Sequence, residues 1–114
     1  MRLAKLAVLT TVLVCAAASA CYAATGAERH VAKGVKCEMC HGPDKANPQE
    51  PTIDTCKTCH DIKAIVEKTK NVKPTNPHVS PHYQDQLDCV NCHLMHEAPV
   101  NFCDQCHSFG FKVK

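Results

Sequence analysis

Tryptophan is missing from this chain, and arginine nearly so, with no guanidinium anywhere beyond Arg29. Aromatic residues supply only 4 % of the sequence. Past the first 23 residues the large apolar side chains are mostly Ile53, Ile62, Ile65, Val66, Leu87, Leu94, Phe102, Phe109 and Phe111, with Tyr83 the one remaining tyrosine. A chain of 114 residues is too short to be stable on so few, so a conventional core built from protein alone is excluded. The lack of arginine and of any basic run argues against a nucleic-acid surface. No stretch alternates apolar with polar residues as a half-buried strand does, and no strand–helix–strand rhythm is visible. The one long apolar run, Leu6 to Ala20, is too short for a confident membrane span.

What the chain has in abundance is cysteine and histidine, 10 and 8 residues respectively. Eight of the cysteines fall into four Cys-x-x-Cys pairs, each followed at once by histidine: Cys37/Cys40/His41, Cys56/Cys59/His60, Cys89/Cys92/His93 and Cys103/Cys106/His107. At this histidine content, four such coincidences would arise about 2 times in 10⁵. The five-residue unit is the attachment signature of a c-type haem. Its two thiols add across the two vinyl groups of the porphyrin, and the next residue sits over the ring where it reaches the iron. Zinc ribbons also use Cys-x-x-Cys pairs, but they would leave all four histidines idle. A disulfide framework leaves them idle too, and cysteines three apart pair poorly within a helical turn. Thioredoxin-like redox chemistry lacks its βαβ context. The sequence therefore predicts four covalently bound c-type haems, with His41, His60, His93 and His107 as iron ligands.

Four histidines remain outside the motifs: His30, His78, His82 and His96. Four irons with one motif histidine each have four further positions to fill, and the count matches. Bis-histidine ligation at every haem, with low reduction potentials, is the expectation. His96, three residues past His93, starts on the near side of the third haem and is expected to reach a neighbouring one. Methionine is the competing soft ligand, and Met95 beside His96 is its one credible representative; Met39, between the thiols of the first motif, is expected on the haem edge.

Residues 1–23 read as a signal peptide. Arg2 and Lys5 supply the positive region, Leu6 to Ala20 the apolar stretch, and Ala20-Cys21-Tyr22-Ala23 a small-residue cleavage site. Cleavage there leaves a single tetrahaem cytochrome c domain over residues 24–114, located in the periplasm, where c-type attachment takes place in bacteria. Cys15 is a small apolar residue of the leader, and Cys21 resembles a lipid-anchor site only faintly, since Ala18 stands where an aliphatic residue is expected. The net charge of +2 comes from Arg2 and Lys5; the remaining 11 basic residues balance 11 acidic ones. Each ferric haem adds roughly −1, so the holoprotein is expected at about −4.

The predicted fold is mostly irregular with short α-helices, organised around four closely packed haems that take the place of a core, so that folding and haem insertion are inseparable. Residues 43–51 and 74–81, both rich in proline, read as loops. Between them Asp61 to Lys70 reads as a helix with Ile62, Ile65 and Val66 on one face. Each motif is expected to occupy a helical turn.

With these motifs in view, the sequence resembles the periplasmic small tetrahaem cytochromes c and the N-terminal haem domain of soluble flavocytochrome c fumarate reductases. The likeness runs through the whole of residues 24–114: a histidine before the first motif (His30), four uniform units, two close histidines before the third motif (His78, His82) and one after it (His96). The run Cys103-Asp104-Gln105-Cys106-His107-Ser108-Phe109 is especially similar to the flavocytochrome haem domain. The uniform spacing differs from the tetrahaem cytochrome c₃ of sulfate reducers, which includes a longer C-x₄-C-H unit. Two departures stand out. His78 and His82 are separated by three residues rather than two, and by distance to the third motif His82 is expected to serve the second haem. The chain ends at Lys114, where a flavocytochrome continues into its flavin domain, so any flavin chemistry is expected on another polypeptide.

With both axial positions filled at every iron, the chain is expected to move electrons and not to be an enzyme. The leading reading is a monomeric periplasmic electron carrier of anaerobic respiration. It takes electrons from a membrane quinol-oxidising cytochrome and passes them to periplasmic reductases or an outer-membrane conduit. The alternative is the haem subunit of a two-chain flavocytochrome c reductase, handing electrons to a flavoprotein subunit that acts on a fumarate-like or other enoate substrate.

Overall fold

The computed structural model describes residues 23–114. The expected leader, save Ala23, lies outside them, as do Cys15 and Cys21. Four short helices and two 3₁₀ turns are set in irregular chain, and among the described residues there is no strand beyond an isolated bridge between Ser80 and Gln84. The fold is the small, mostly irregular, short-helical one that the sequence predicts.

Several elements start where a side chain takes up free backbone N–H groups. Helix α1, Gly26–Val31, opens on a capping box: the Thr25 hydroxyl accepts from Glu28 N at 3.2 Å and the Glu28 carboxylate accepts from Thr25 N at 2.7 Å. Helix α2, Cys37–His41, carries the first motif and stops at Gly42, whose φ of +77° is cheap only for glycine. Helix α3, Ile53–Lys57, follows Thr52. Helix α4, Ile62–Thr69, is the element predicted over Asp61 to Lys70. It is one residue shorter at each end because Asp61 is its cap, accepting from Lys63 N and Ala64 N, while Lys70 closes it. The third and fourth motifs wind more tightly, as 3₁₀ turns at Cys89–Asn91 and Phe102–Gln105.

Ile53, at 9 % exposure, is the one large apolar side chain that is buried among the described residues. It lies where α3 meets the turn Cys89–Asn91, and its N–H donates to Asp88 Oδ1 at 2.6 Å. Helix α2 packs against α3 as well, so the first three motifs converge on this point. Elsewhere Ile62, Ile65, Val66, Leu87, Leu94, Phe102 and Phe109 are only partly covered. The described residues thus have apolar surface open to a cover and almost no interior of their own.

Loops 43–51 and 74–81 are irregular, as their prolines suggest. The first closes back onto its motif through Gln49 N donating to His41 O at 2.8 Å. No helix among the described residues is long and apolar enough to cross a membrane.

Candidate functional site

The four Cys-x-x-Cys-His units share one local geometry. In the second, third and fourth, the histidine N–H donates to the carbonyl of the first cysteine, at 2.9, 2.8 and 2.9 Å. That single turn puts the two thiols on one side and the imidazole one step further along. All eight thiols are free, with Cys37, Cys59 and Cys106 exposed and the other five partly covered. Thiols of different motifs also meet. Burial, reinforced by the neighbouring Cys89 and Cys40, pushes the Cys56 thiol up to about 11. Cys103 is raised by burial and by the nearby Cys92. The attachment points of the first three motifs therefore adjoin, and the third adjoins the fourth.

The eight imidazoles come together in twos. His41 faces His96 with ring centroids 5.9 Å apart, His60 faces His30 at 6.0 Å, His107 faces His82 at 6.1 Å and His93 faces His78 at 6.3 Å. Every pair combines one motif histidine with one histidine from outside the motifs. The separation stays nearly constant while the interplanar angle runs from 5° to 77°. Two imidazoles on opposite sides of one metal would be held about 6.3 Å apart, from metal–nitrogen bonds of about 2.0–2.1 Å and about 1.1 Å from nitrogen to ring centre. Residues and group fit. Nowhere among the described residues do three His, Cys, Asp or Glu side chains surround a common point.

The other ring nitrogen is tied down in half of these histidines. Nδ1–H of His30 donates to Gly26 O at 2.7 Å, that of His41 to Gln49 O at 2.8 Å and that of His93 to Lys114 O at 3.2 Å. His78 Nδ1 lies 3.0 Å from Thr69 Oγ1. A carbonyl only accepts, so these bonds place the proton on Nδ1 and leave Nε2 bare for a metal. Burial, then the neighbouring His93, lowers the pKa of His78 and keeps it in the neutral form that a ligand needs.

The elements that deliver the non-motif histidines are specific. Helix α1 carries His30 and is docked by Ala27 N donating to Met95 O at 2.6 Å. Met95 lies against Gly26, so closely that a Cβ there would sit 2.8 Å from its sulfur. The side chain named as a competing ligand thus serves as the seat of α1. Met39 is exposed at the first motif. His96 reaches across to the first motif, as expected of a residue starting on the near side of the third.

His82 departs from the expected assignment. The expectation places it at the second motif, but it faces His107 of the fourth, and His60 of the second motif faces His30. The reason lies in the chain between His78 and His82. Ser80 and Gln84 exchange backbone hydrogen bonds of 3.0 and 2.7 Å, which closes a tight turn with His82 near its tip. Tyr83 then packs edge-on to Phe102 at 6.1 Å, just before Cys103. Phe109 stacks on His107 at 4.5 Å and 7°. Thr69, Asn76 and Asp88 are supporting residues that the sequence reading did not single out. For Asn76 a signal was present: an asparagine two residues before His78 in a proline-rich loop is an Asx-turn pattern, and Asn76 Oδ1 accepts from His78 N at 3.0 Å.

The family described as cytochrome c3 matches residues 29–108, a span holding all four motifs and all eight histidines. The uniform motif spacing of this chain is thus admitted by that family. Acrylate reductase cytochrome subunit of Shewanella woodyi is 36 % identical over 81 residues, covering 68 % of this chain and 68 % of that protein. Probable fumarate reductase Ifc3 of Shewanella frigidimarina is 34 % identical over 79 residues, which are 67 % of this chain and only 13 % of that one. Cytochrome c-type protein Cgr1 of Eggerthella lenta is 33 % identical over 54 residues, 46 % of this chain and 24 % of that protein. No solved structure matches the chain.

Proposed function

Because the chain belongs to the cytochrome c3 family, a family of multihaem electron-transfer domains related to reductase cytochrome subunits, we propose that it holds four bis-histidine c-type haems in the periplasm and passes electrons to a separate reductase flavoprotein. The haems supply one-electron oxidation and reduction; the polypeptide supplies their attachment, their axial ligands and their spacing. Cys37 and Cys40, Cys56 and Cys59, Cys89 and Cys92, and Cys103 and Cys106 hold the macrocycles. The irons would be held between His41 and His96, His60 and His30, His93 and His78, and His107 and His82. The observation carrying this reading is the near-constant separation of the four imidazole pairs, 5.9–6.3 Å. With two histidines per iron, no position is left for a substrate. Low potentials follow from bis-histidine ligation in place of a methionine ligand.

Two arrangements with the acceptor were open from the sequence, a free shuttle and a subunit of a two-chain reductase. The comparisons favour the subunit. A reductase's cytochrome subunit matches over two thirds of both chains, and in the probable fumarate reductase the matched segment is a small part of a much longer protein. An enoate is the substrate class this suggests for the partner, and a membrane quinol-oxidising cytochrome is the donor we assign. The shuttle reading, with an outer-membrane conduit among its acceptors, keeps one support: the expected charge of about −4 suits brief, salt-sensitive encounters. Size-exclusion chromatography of native periplasmic extract at low and high salt separates the two. A flavoprotein eluting with the haem protein at both strengths supports the subunit; elution alone at both would overturn it in favour of the shuttle.

A further inference from the structure

The end of α4 holds a side-chain network that haem attachment does not require. Thr69 Oγ1 lies 2.9 Å from Ile65 O, 2.8 Å from Asn76 Oδ1 and 3.0 Å from His78 Nδ1. The first two atoms only accept, so the hydroxyl proton goes to one of them and Oγ1 turns a lone pair to the ring. With Nε2 turned to the metal in the bis-histidine reading, the neutral ring carries its proton on Nδ1, so His78 donates and Thr69 Oγ1 accepts. Asn76 is used at both ends: its Nδ2 donates to Val66 O at 2.9 Å and its Oδ1 accepts from His78 N at 3.0 Å. Helix end, proline-rich loop and imidazole are thereby fixed as one unit. Across the gap, His93 also donates from Nδ1, to Lys114 O at 3.2 Å. The pair His78–His93 has the smallest interplanar angle of the four, 5°.

We propose that Thr69 and Asn76 are positioning residues for His78, and that the Thr69 hydroxyl lowers the reduction potential of the centre held between His78 and His93. The proposal rests on the bis-histidine reading above. Donation from Nδ1–H to a fixed oxygen pushes electron density toward Nε2, and a more basic Nε2 stabilises ferric over ferrous iron. Thr69→Val keeps the shape and removes the acceptor. In this half-buried setting the Nδ1–H loses its protein partner, the ring becomes a weaker donor to iron, and the potential rises.

The test uses the full-length holoprotein, with a redox titration that follows each centre by its own paramagnetic NMR signals. His78→Ala identifies the centre, because it should convert one of four from six-coordinate low-spin to an open form. In Thr69→Val the midpoint potential of that centre should move upward while the other three stay and all four remain low-spin. Thr69→Ser should restore the wild-type value, and Asn76→Ala should move the same centre in the same direction. An unchanged or lowered potential in Thr69→Val, or a common shift of all four, overturns the proposal. If His78→Ala leaves four low-spin centres, the ligation reading itself fails, which is a distinct result. Should Thr69→Val not mature, the reduced wild-type protein provides the test. Its His78 Nδ1–H should exchange with solvent at least about tenfold more slowly than those of His82 and His107, and equal rates overturn the proposal.

Discussion

Gly26→Ala is the smallest substitution that tests whether α1 is a lever holding an axial ligand. A Cβ at residue 26 would lie 2.8 Å from both Sδ and Cε of Met95 and 3.2 Å from its Cα. The thioether end can swing aside, but the Cα cannot retreat without stretching the bond of 2.6 Å from Ala27 N to Met95 O. Alanine gains up to about 1 kcal/mol over glycine in a helix interior and less at a first helical residue. Overpacking costs about 1–3 kcal/mol. The net effect is about 1–2 kcal/mol against docking of α1, or about 5–30-fold in its undocked population. His30 travels with this helix, its Nδ1 bonded to the carbonyl of Gly26 itself. Undocking therefore withdraws His30 from His60. Carbon monoxide binds reduced haem only where an axial ligand has left, so stopped-flow uptake by the fully reduced protein reads this population directly. Gly26→Ala should accelerate uptake about 5–30-fold at one centre in four, and Met95→Ala in the same background should return part of the change. Unaltered uptake would refute the claim that the contact between Gly26 and Met95 governs His30.

Three further outcomes are expected. The intact mass of the exported protein should exceed that of its polypeptide by four haems; a mass matching three haems, or zinc, contradicts the reading. His82→Ala should open the fourth centre, that of His107, and leave the other three low-spin by electron paramagnetic resonance. Opening of the second would restore the assignment made from sequence distance. Ile53→Ala removes the one buried large side chain among the described residues and should cost about 2–4 kcal/mol, lowering Tm by roughly 10 °C or more, while haem content per chain stays the same. A change within error would mean that the macrocycles alone hold α3 against the turn Cys89–Asn91.

Much of this arrangement is legible in the residues. Cys-x-x-Cys-His is a local code, because the bond from the histidine N–H to the first cysteine's carbonyl closes within five residues. Helix α4 was readable for the same reason: Asp61 caps it, and Ile62, Ile65 and Val66 recur on one face. The delivery of distal histidines is not local. His82 goes to the fourth motif through the Ser80–Gln84 turn and the contact of Tyr83 with Phe102, and distance along the chain weighs neither. His30 reaches the second motif because Met95, more than sixty residues away, seats α1. Asn76 lay between: its Asx-turn signal is present in Asn76-Pro77-His78, but the partner that gives it purpose, Thr69, belongs to the preceding helix.

The near-absence of a polypeptide interior has a consequence for how this protein fails and recovers. In an ordinary domain, denaturation scatters the core among the residues that formed it. Here the thioethers would keep every macrocycle on its own motif however disordered the chain became, so denaturation loosens distal imidazoles and leaves the core in pieces on a string. Recovery is then a problem of assortment. On the four-haem, bis-histidine reading, His30, His78, His82 and His96 would compete for four vacated irons, in roughly two dozen permutations of which one would be native. Wrong pairings would be held by bonds as strong as right ones. Refolding from denaturant should thus be slowed by ligand exchange, and a competing imidazole in the buffer, by weakening every wrong bond, should speed the return to the native set.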